Sequence, residues 1–281
     1  MSTVENLPSS AREIRPFFRI LAAILVPALL VAFFILYFFP NRTGELFAWP
    51  IAPTMTAMML GATYLGGAYF FTRVVLARQW HHVKLGFLPI TAFAGILGIA
   101  TALHWDRFTH GHIAFHIWVL LYFAVPFVLP VAWYRNNRAV APQAGLTPLP
   151  QTLRLVFGGL GGVLSAVSLL MLVVPTLLIP TWPWALTPLT TRVMAAMFAL
   201  TGLVCLGIAV DGRWQAARYI LHAQIIAIVF ILLAVVRAWP QFDWSRPVSW
   251  LFVGGLSFVL VVALGVLTRL KPVPAPALST Q

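Results

Sequence analysis

Eight long apolar segments dominate this chain and are separated by short stretches rich in Pro, Gly, Trp and charged residues. Each is about 20 residues long, the length that an α-helix needs to cross the hydrocarbon core of a bilayer. The sequence therefore predicts an all-α integral membrane protein with eight transmembrane helices. We expect the spans at about residues 17–39, 53–74, 85–105, 112–134, 153–179, 190–210, 216–238 and 247–269.

The composition agrees with this class. Hydrophobic residues make up 61% of the chain and charged residues 9%, whereas a soluble domain carries about 25% charged residues. The first apolar segment is too long for a signal-peptide core and no small-residue cleavage site follows it, so we expect it to be retained as a helix. The only cysteine, Cys205, lies in the sixth predicted span, which excludes an intramolecular disulfide.

The basic residues predict the orientation. Thirteen of the eighteen Lys and Arg residues fall at the two termini or in the loops after spans two, four and six. By the positive-inside rule, both termini are cytoplasmic. The net charge of +12 is thus interpreted as orienting the protein and attracting anionic lipids, and not as a nucleic-acid site. The expected location is the plasma membrane, specifically the bacterial inner membrane, as a multi-pass protein. The five basic residues on the opposite side are Arg42, Arg107, Arg192, Arg237 and Arg246.

The two halves of the chain resemble each other. Shifting the second half back by 134 residues aligns 214–269 on 80–135 without a gap, and the matches include Trp80 on Trp214, Lys84 on Arg218, Trp105 on Trp239, Phe108 on Phe242 and Arg135 on Arg269. A shift of 135 residues aligns the segment before it, with Thr56 on Thr191, Gly67 on Gly202 and Trp49 on Trp184.

This similarity predicts an internal duplication. Each unit would hold four helices, and an even number keeps both units in the same orientation, related by a pseudo-twofold axis along the membrane normal. We expect a first repeat at 1–135, a Pro-rich cytoplasmic linker at 136–152 and a second repeat at 153–281. In the fifth span, Gly158 and Gly162 are spaced to let a neighbouring helix approach closely.

One polar cluster is a candidate site. The segment "LHWDRFTHGHIAFH" at 103–116 holds four of the seven histidines and one aspartate. Two of these histidines are four residues apart at a helix start and share a face, as two ligands of one ion would. Imidazole and carboxylate ligands suit Zn, Cu or Fe, and histidines could also be axial ligands of a haem. The candidate metal ligands are His104, Asp106, His110, His112 and His116.

The alternative is an ordinary interfacial turn, in which Asp106 or Thr109 caps the following helix. The duplication favours a function, since the aligned positions of the second half hold Ala238, Pro240, Trp244, Arg246 and Trp250. A second group, His81 and His82 with His222, is interpreted as part of a solvated turn that touches lipid headgroups. The many tryptophans of the outer loops predict an aromatic belt at the membrane surface.

The remaining residues limit the function. No charged residue lies in the middle of a span, which counts against an ion-coupled carrier because such carriers place charges there. No catalytic motif is present, so no enzymatic activity is indicated and no catalytic residue is assigned. The first hypothesis is a non-catalytic accessory or scaffold subunit of a membrane complex, with lipid and other membrane subunits as partners. The alternatives are a haem- or metal-binding redox or assembly protein, and a carrier for a small neutral or apolar solute.

Overall fold

The computed structural model describes residues 14–139 and 146–269. Regular structure within these residues is helical, and we number the eight long helices in chain order. They are α1 (Pro16–Phe38), α2 (Thr54–Leu76), α3 (Lys84–Leu103), α4 (Ile113–Ala139), α5 (Gln151–Val173), α6 (Pro188–Asp211), α7 (Trp214–Arg237) and α8 (Pro247–Arg269). Short helical turns lie between them, at Pro40–Arg42, Thr43–Leu46, Trp80–His82, Trp105–Arg107, Pro175–Leu178, Ile179–Thr181 and Trp239–Gln241.

Seven of these helices are long and apolar enough to cross a membrane, which confirms a multi-pass, all-α membrane protein. The helix outside this set is α2, which has the same 23-residue length as α1. It contains more Thr, Gly and Tyr, and most of its residues are buried against other helices. A helix surrounded by protein does not need the apolar surface that lipid contact demands.

The fifth helix is shorter than predicted. The sequence predicts a span over 153–179, but α5 ends at Val173, and a separate short helix begins at Pro175. Proline has no backbone N–H and cannot continue the hydrogen-bond ladder of a helix, so the apolar run is divided there. Conversely, α4 extends beyond its predicted end to Ala139. The predicted linker thus has helical residues at both ends, and its part at 140–145 lies outside the described residues.

Four helices form the centre of the bundle and four lie outside them. The central helices are α2, α3, α6 and α7, and they contact each other as the pairs α2–α7 and α3–α6. Each also carries one outer helix: α1 packs along α2, α4 along α3, α5 along α6 and α8 along α7. The outer helices therefore present most of the lipid-facing surface, which includes many exposed Leu, Val, Ile and Phe side chains.

Two glycines, Gly161 of α5 and Gly202 of α6, allow the close approach of these helices, and a Cβ on Gly202 would lie 2.9 Å from the backbone nitrogen of Ser165. A Cβ atom added to Gly161 would lie 2.8 Å from the carbonyl oxygen of Gly202, so any side chain there would displace the backbone of α6. The sequence pointed to Gly158 and Gly162 instead, and this prediction was wrong for Gly162, beside which a Cβ would meet nothing within 4 Å. The spacing is correct for a helix contact, but the contact face lies one position away.

The tryptophans divide into two groups. Trp105, Trp239 and Trp250 are about half exposed, as expected of a belt at the membrane surface. Trp49 and Trp184 are almost fully buried and belong to the main core. We call the end of the bundle that carries these residues the tryptophan end, and the opposite end, which carries the Trp80–His82 turn, the basic end.

The buried tryptophans occupy two corners of similar geometry. The Trp49 ring lies 5.1 Å from Phe108 at an interplanar angle of 49°, and the Trp184 ring lies 5.0 Å from Phe242 at 51°. Backbone hydrogen bonds beside these rings also correspond, from Thr109 N to Ala48 O at 2.9 Å and from Asp243 N to Pro183 O at 2.8 Å. In each corner, the loop before one central helix contacts the loop that follows the next central helix.

Candidate ligand cavity and polar clusters

A cavity of about 470 Å³ lies between α5, α6, α7 and α8 and extends to α2 and α3. Its volume falls within the range of small-molecule sites, roughly 300–1,000 Å³. Two outer helices, α5 and α8, line the cavity and pack on different central helices. The gap between α5 and α8 is therefore on the lipid-facing side of the cavity. The wall is mainly apolar and includes Met59, Phe70, Leu164, Met197, Phe198 and Leu256.

Three polar side chains line the cavity near the middle of their helices: Thr63 on α2, Thr201 on α6 and Gln224 on α7. The Thr63 hydroxyl donates to the carbonyl oxygen of Met59 at 3.0 Å. No hydrogen bond joins the Thr201 hydroxyl or the Gln224 amide to another described residue, and both residues are only partly buried. Neither group belongs to the fully buried polar atoms that lack a partner, so both are accessible from the cavity. An amide in an apolar environment without a partner costs roughly 1–3 kcal/mol. The cavity therefore contains a donor and an acceptor that a ligand can use.

A close helix crossing positions this amide. A Cβ atom on Gly66 would lie 2.7 Å from the carbonyl oxygen of Ala223, so the backbones of α2 and α7 touch there. Gln224 follows directly in α7, and Gly66 also lines the cavity. Because such a contact fixes the two helices relative to each other, the amide is held at a defined depth and direction.

The corresponding place in the first half of the chain is filled. Ala227 and Leu256, which line the cavity, align with Phe93 and Tyr122 under the 134-residue shift. These two aromatic side chains are buried, with their ring centroids 6.2 Å apart. The Tyr122 hydroxyl also forms a 2.7 Å hydrogen bond with the hydroxyl of Tyr64. Smaller side chains at the aligned positions of the second half leave the space open.

The predicted metal ligands lie at the tryptophan end, where His104 follows α3. Its Nε2 atom is 2.8 Å from Nη1 of Arg192 on α6. Since a guanidinium group can only donate, Arg192 is the donor and the Nε2 lone pair is occupied. Burial, followed by the positive charge of Arg192, lowers the pKa of His104. This pair is a polar contact between α3 and α6.

The other four candidate ligands lie in separate local environments. His112 Nδ1 accepts a 3.1 Å hydrogen bond from the backbone N–H of Ala114, as a cap at the start of α4 does. His110 packs on the Trp105 ring, with centroids 5.4 Å apart. Asp106 and His116 are exposed.

The five residues do not form one ligand set. Across residues 14–139 and 146–269, no group of three His, Cys, Asp or Glu side chains is arranged to hold a metal ion. The metal or haem site at 103–116 accordingly stays a prediction, and metal analysis of the purified protein would test it.

At the basic end, a buried ion pair joins α3 to α6. Lys84 Nζ lies 2.6 Å from Oδ2 of Asp211, and both side chains are largely buried. His81 is also buried, which differs from the solvated turn that the sequence predicts, and its Nε2 has no hydrogen-bond partner. Burial, and then the charges of His82 and Lys84, lower the pKa of His81 to about 4. The imidazole is therefore neutral at physiological pH.

The cavity residues are not among those predicted from the sequence. Charged residues within a span mark functional positions, and Gln224 and Thr201 carry no charge. The available signal was an amide in the middle of an apolar span, which is unfavourable unless it finds a partner. The cavity itself depends on which side chains of different helices face each other, and the sequence does not specify this.

Comparison with known proteins identifies no relative: no family model, no curated protein and no solved structure matches the chain.

Proposed function

We propose that this protein is a membrane-embedded carrier that binds a small, neutral and largely apolar molecule in the cavity. The observation that supports this most strongly is the Gln224 amide, which lies at mid-helix against a cavity of about 470 Å³ and forms no hydrogen bond with another described residue. The ligand would pack against the apolar wall and exchange a hydrogen bond with this amide. The Thr201 hydroxyl is available to the same polar group.

The lining favours a neutral ligand. None of the described residues that line the cavity carries a charge. An ion moved from water into such a site would lose hydration worth several kcal/mol, with no opposite charge to offset that loss. A ligand with one or two hydrogen-bonding groups on an apolar body fits both the wall and the amide.

The proposed architecture consists of eight spans in two units, with both termini cytoplasmic. A twofold rotation that exchanges the two units matches three sets of helix contacts, which supports the duplication. It places α1–α2 on α5–α6, α3–α4 on α7–α8, and α2–α7 on α6–α3. The similar corners at Trp49 and Trp184 support it as well. Transporters built from repeats bind substrate near the bilayer midplane at the interface of the repeats. A cavity lined by helices of both units agrees with that principle.

An accessory subunit is the second candidate, favoured by the surface of α8. Only 11% of the most apolar stretch of α8 is buried, the lowest value among the seven apolar helices. The helix packs mainly on α7. A partner helix could cover the exposed face of α8 within a complex. In that case proteins would co-purify with the chain, and substitutions on α8 would release them.

The test is to purify the protein from its native membrane and to identify bound small molecules by extraction and mass spectrometry. Gly255 lines the cavity, and a Cβ there would meet nothing within 4 Å, so Gly255→Phe fills the cavity without a backbone clash. Its neighbour Gly254 has equal space but lies outside the lining, so Gly254→Phe is the matched control.

We expect a neutral lipophilic compound at near-stoichiometric amount in the wild type and in Gly254→Phe. Gly255→Phe should retain less than about a tenth of it. Gln224→Leu should weaken binding about tenfold, since one hydrogen bond to a ligand is worth about 1 kcal/mol or more. Equal amounts in all four proteins, or no compound in the wild type, would contradict the proposal.

A further inference from the structure

Two arginines from different helices converge on one ring at the basic end. Arg73 lies in the last turn of α2 and Arg218 near the start of α7. Their guanidinium carbons are 4.1 Å and 4.6 Å from the centroid of the Tyr219 ring, so the two cations are at most about 9 Å apart. Arg218 also donates a 2.7 Å hydrogen bond to the Tyr219 hydroxyl. Two like charges held this close repel each other unless an anion lies between or beside them.

The described part of the chain supplies no such anion. The four ion pairs found there use other basic residues, and neither Arg73 nor Arg218 contacts a carboxylate among these residues. The Nε–H of Arg73 is buried without a hydrogen-bond partner. The His82 ring lies 5.8 Å from the Tyr219 ring. Burial, followed by the charges of Arg218 and Arg73, lowers the pKa of His82 to about 4, so this histidine is neutral at physiological pH and is not a counter-ion.

The other half of the chain shows how the same place is neutralised. Lys84 aligns with Arg218 in the sequence, and it pairs with Asp211 at 2.6 Å. Under the 135-residue shift, Asp211 aligns with Leu76, which has no charge. The chain thus provides the counter-ion between α3 and α6, whereas the aligned position in α2 holds an uncharged leucine.

We propose that the phosphate of an anionic lipid headgroup binds between Arg73 and Arg218. Guanidinium groups match phosphate oxygens with paired hydrogen bonds, which makes arginine the residue typical of phosphate sites. Both arginines lie within a turn or two of a helix end, the depth at which headgroups lie. The basic end is the side predicted to face the cytoplasm, whose leaflet carries anionic lipids. This site is separate from the cavity and does not depend on the proposed function.

Native mass spectrometry and thermal melting in detergent, with added phosphatidylglycerol or phosphatidylcholine, test this site. The test variant is Arg73→Gln with Arg218→Gln. The matched control is Arg78→Gln with Arg135→Gln, which removes two exposed arginines and the same net charge. We expect the wild type and the control to bind phosphatidylglycerol at least tenfold more tightly than phosphatidylcholine. In the test variant, the ratio of the Kd for phosphatidylcholine to the Kd for phosphatidylglycerol should fall about tenfold, which is about one logarithmic unit.

Further arms separate the alternatives. If the control loses as much preference as the test variant, the effect is general surface charge and the proposal is wrong. If inorganic phosphate stabilises the protein as well as phosphatidylglycerol does, a free anion is the ligand and the lipid assignment is overturned. If the double glutamine variant does not fold, Arg73→Lys with Arg218→Lys retains both charges. Without lipid, that variant should have the melting temperature of the wild type. Its preference for phosphatidylglycerol over phosphatidylcholine should fall several-fold, because lysine lacks the paired donors.

Discussion

Under the proposed function, Gln224 serves ligand binding at the expense of stability. Its amide lies mid-helix with no hydrogen bond to another described residue, although leucine would suit an apolar wall better. Unfavourable polar groups of this kind persist where a ligand completes their hydrogen bonds. Gln215 in the same helix is the opposite case, since its carbonyl oxygen accepts from the Thr147 backbone N–H at 3.0 Å and its NH2 group donates to the Thr147 hydroxyl at 3.1 Å.

These two glutamines should respond to the same substitution with opposite signs. Gln224→Leu removes an unpaired amide and should raise the melting temperature of ligand-free protein through an increase of about 1 kcal/mol in its free energy of unfolding. Gln215→Leu breaks two hydrogen bonds and should lower it by about 1–3 kcal/mol. Thermal melting in detergent, followed by tryptophan fluorescence, measures both. A loss of stability in Gln224→Leu would mean that the amide is already paired.

His81 should make stability depend on pH. Its pKa is about 4 in the folded protein, against an ordinary value near 6.5 in the unfolded chain. Between these values the unfolded state binds more protons, so the stability present above pH 6.5 is lost as the pH falls towards 4. The melting temperature should therefore decrease from pH 7 to pH 5. His81→Gln should flatten part of this decrease, and His82 and His104, whose pKa values are also lowered, should contribute to the remainder.

At the scale of elements, hydropathy predicted where helices occur, and local chemistry decided where they end. The first predicted span, 17–39, corresponds to α1 within one residue at each end. The fifth was predicted as far as 179 and ends at Val173, because Pro175 interrupts the ladder. The contact face of α5 was also displaced by one residue, since the sequence shows spacing but not the rotation of a helix about its axis.

The displaced face leads to a paired test on α5. Gly161→Val places branched carbon atoms where a Cβ already meets the backbone of α6, so it should destabilise the protein by several kcal/mol or prevent folding. Gly162→Val has free space and should be within about 1 kcal/mol of the wild type. Expression level and melting temperature report on both variants. If Gly162→Val is the more damaging, the orientation of α5 is wrong.

At the scale of the whole molecule, the sequence predicted the membrane class and a duplicated plan, but not the site. The class follows from composition and length, which are properties of the chain alone. The candidate site follows from differences between aligned positions, such as Phe93 against Ala227, where the smaller side chain lines the cavity. The histidine cluster at 103–116 was a candidate metal site because its residue types are rare in this chain. In the structure, His104 and His112 have separate hydrogen-bond partners.

The orientation is open to a direct labelling experiment. In a Cys205→Ala background, cysteines at Arg107 and Ala185 should react with an impermeant thiol reagent added outside intact cells. Cysteines at Arg78 and Arg138 should react only after the membrane is opened. All four positions are exposed, so accessibility depends on the side of the membrane alone. Labelling from the wrong side would overturn the orientation, and a mixed result would overturn the number of spans.

The proposed function depends most on what occupies the cavity beside Gln224. Cryo-electron microscopy of the protein, extracted with its native lipids into nanodiscs, measures this most directly. We expect a single well-defined density among α5, α6, α7 and α8, in hydrogen-bond contact with the Gln224 amide. The same density should be missing from the Gly255→Phe variant. A cavity closed by movement of α8 onto α5, or one filled by a helix of another subunit, would contradict the claim that this protein binds a small apolar molecule.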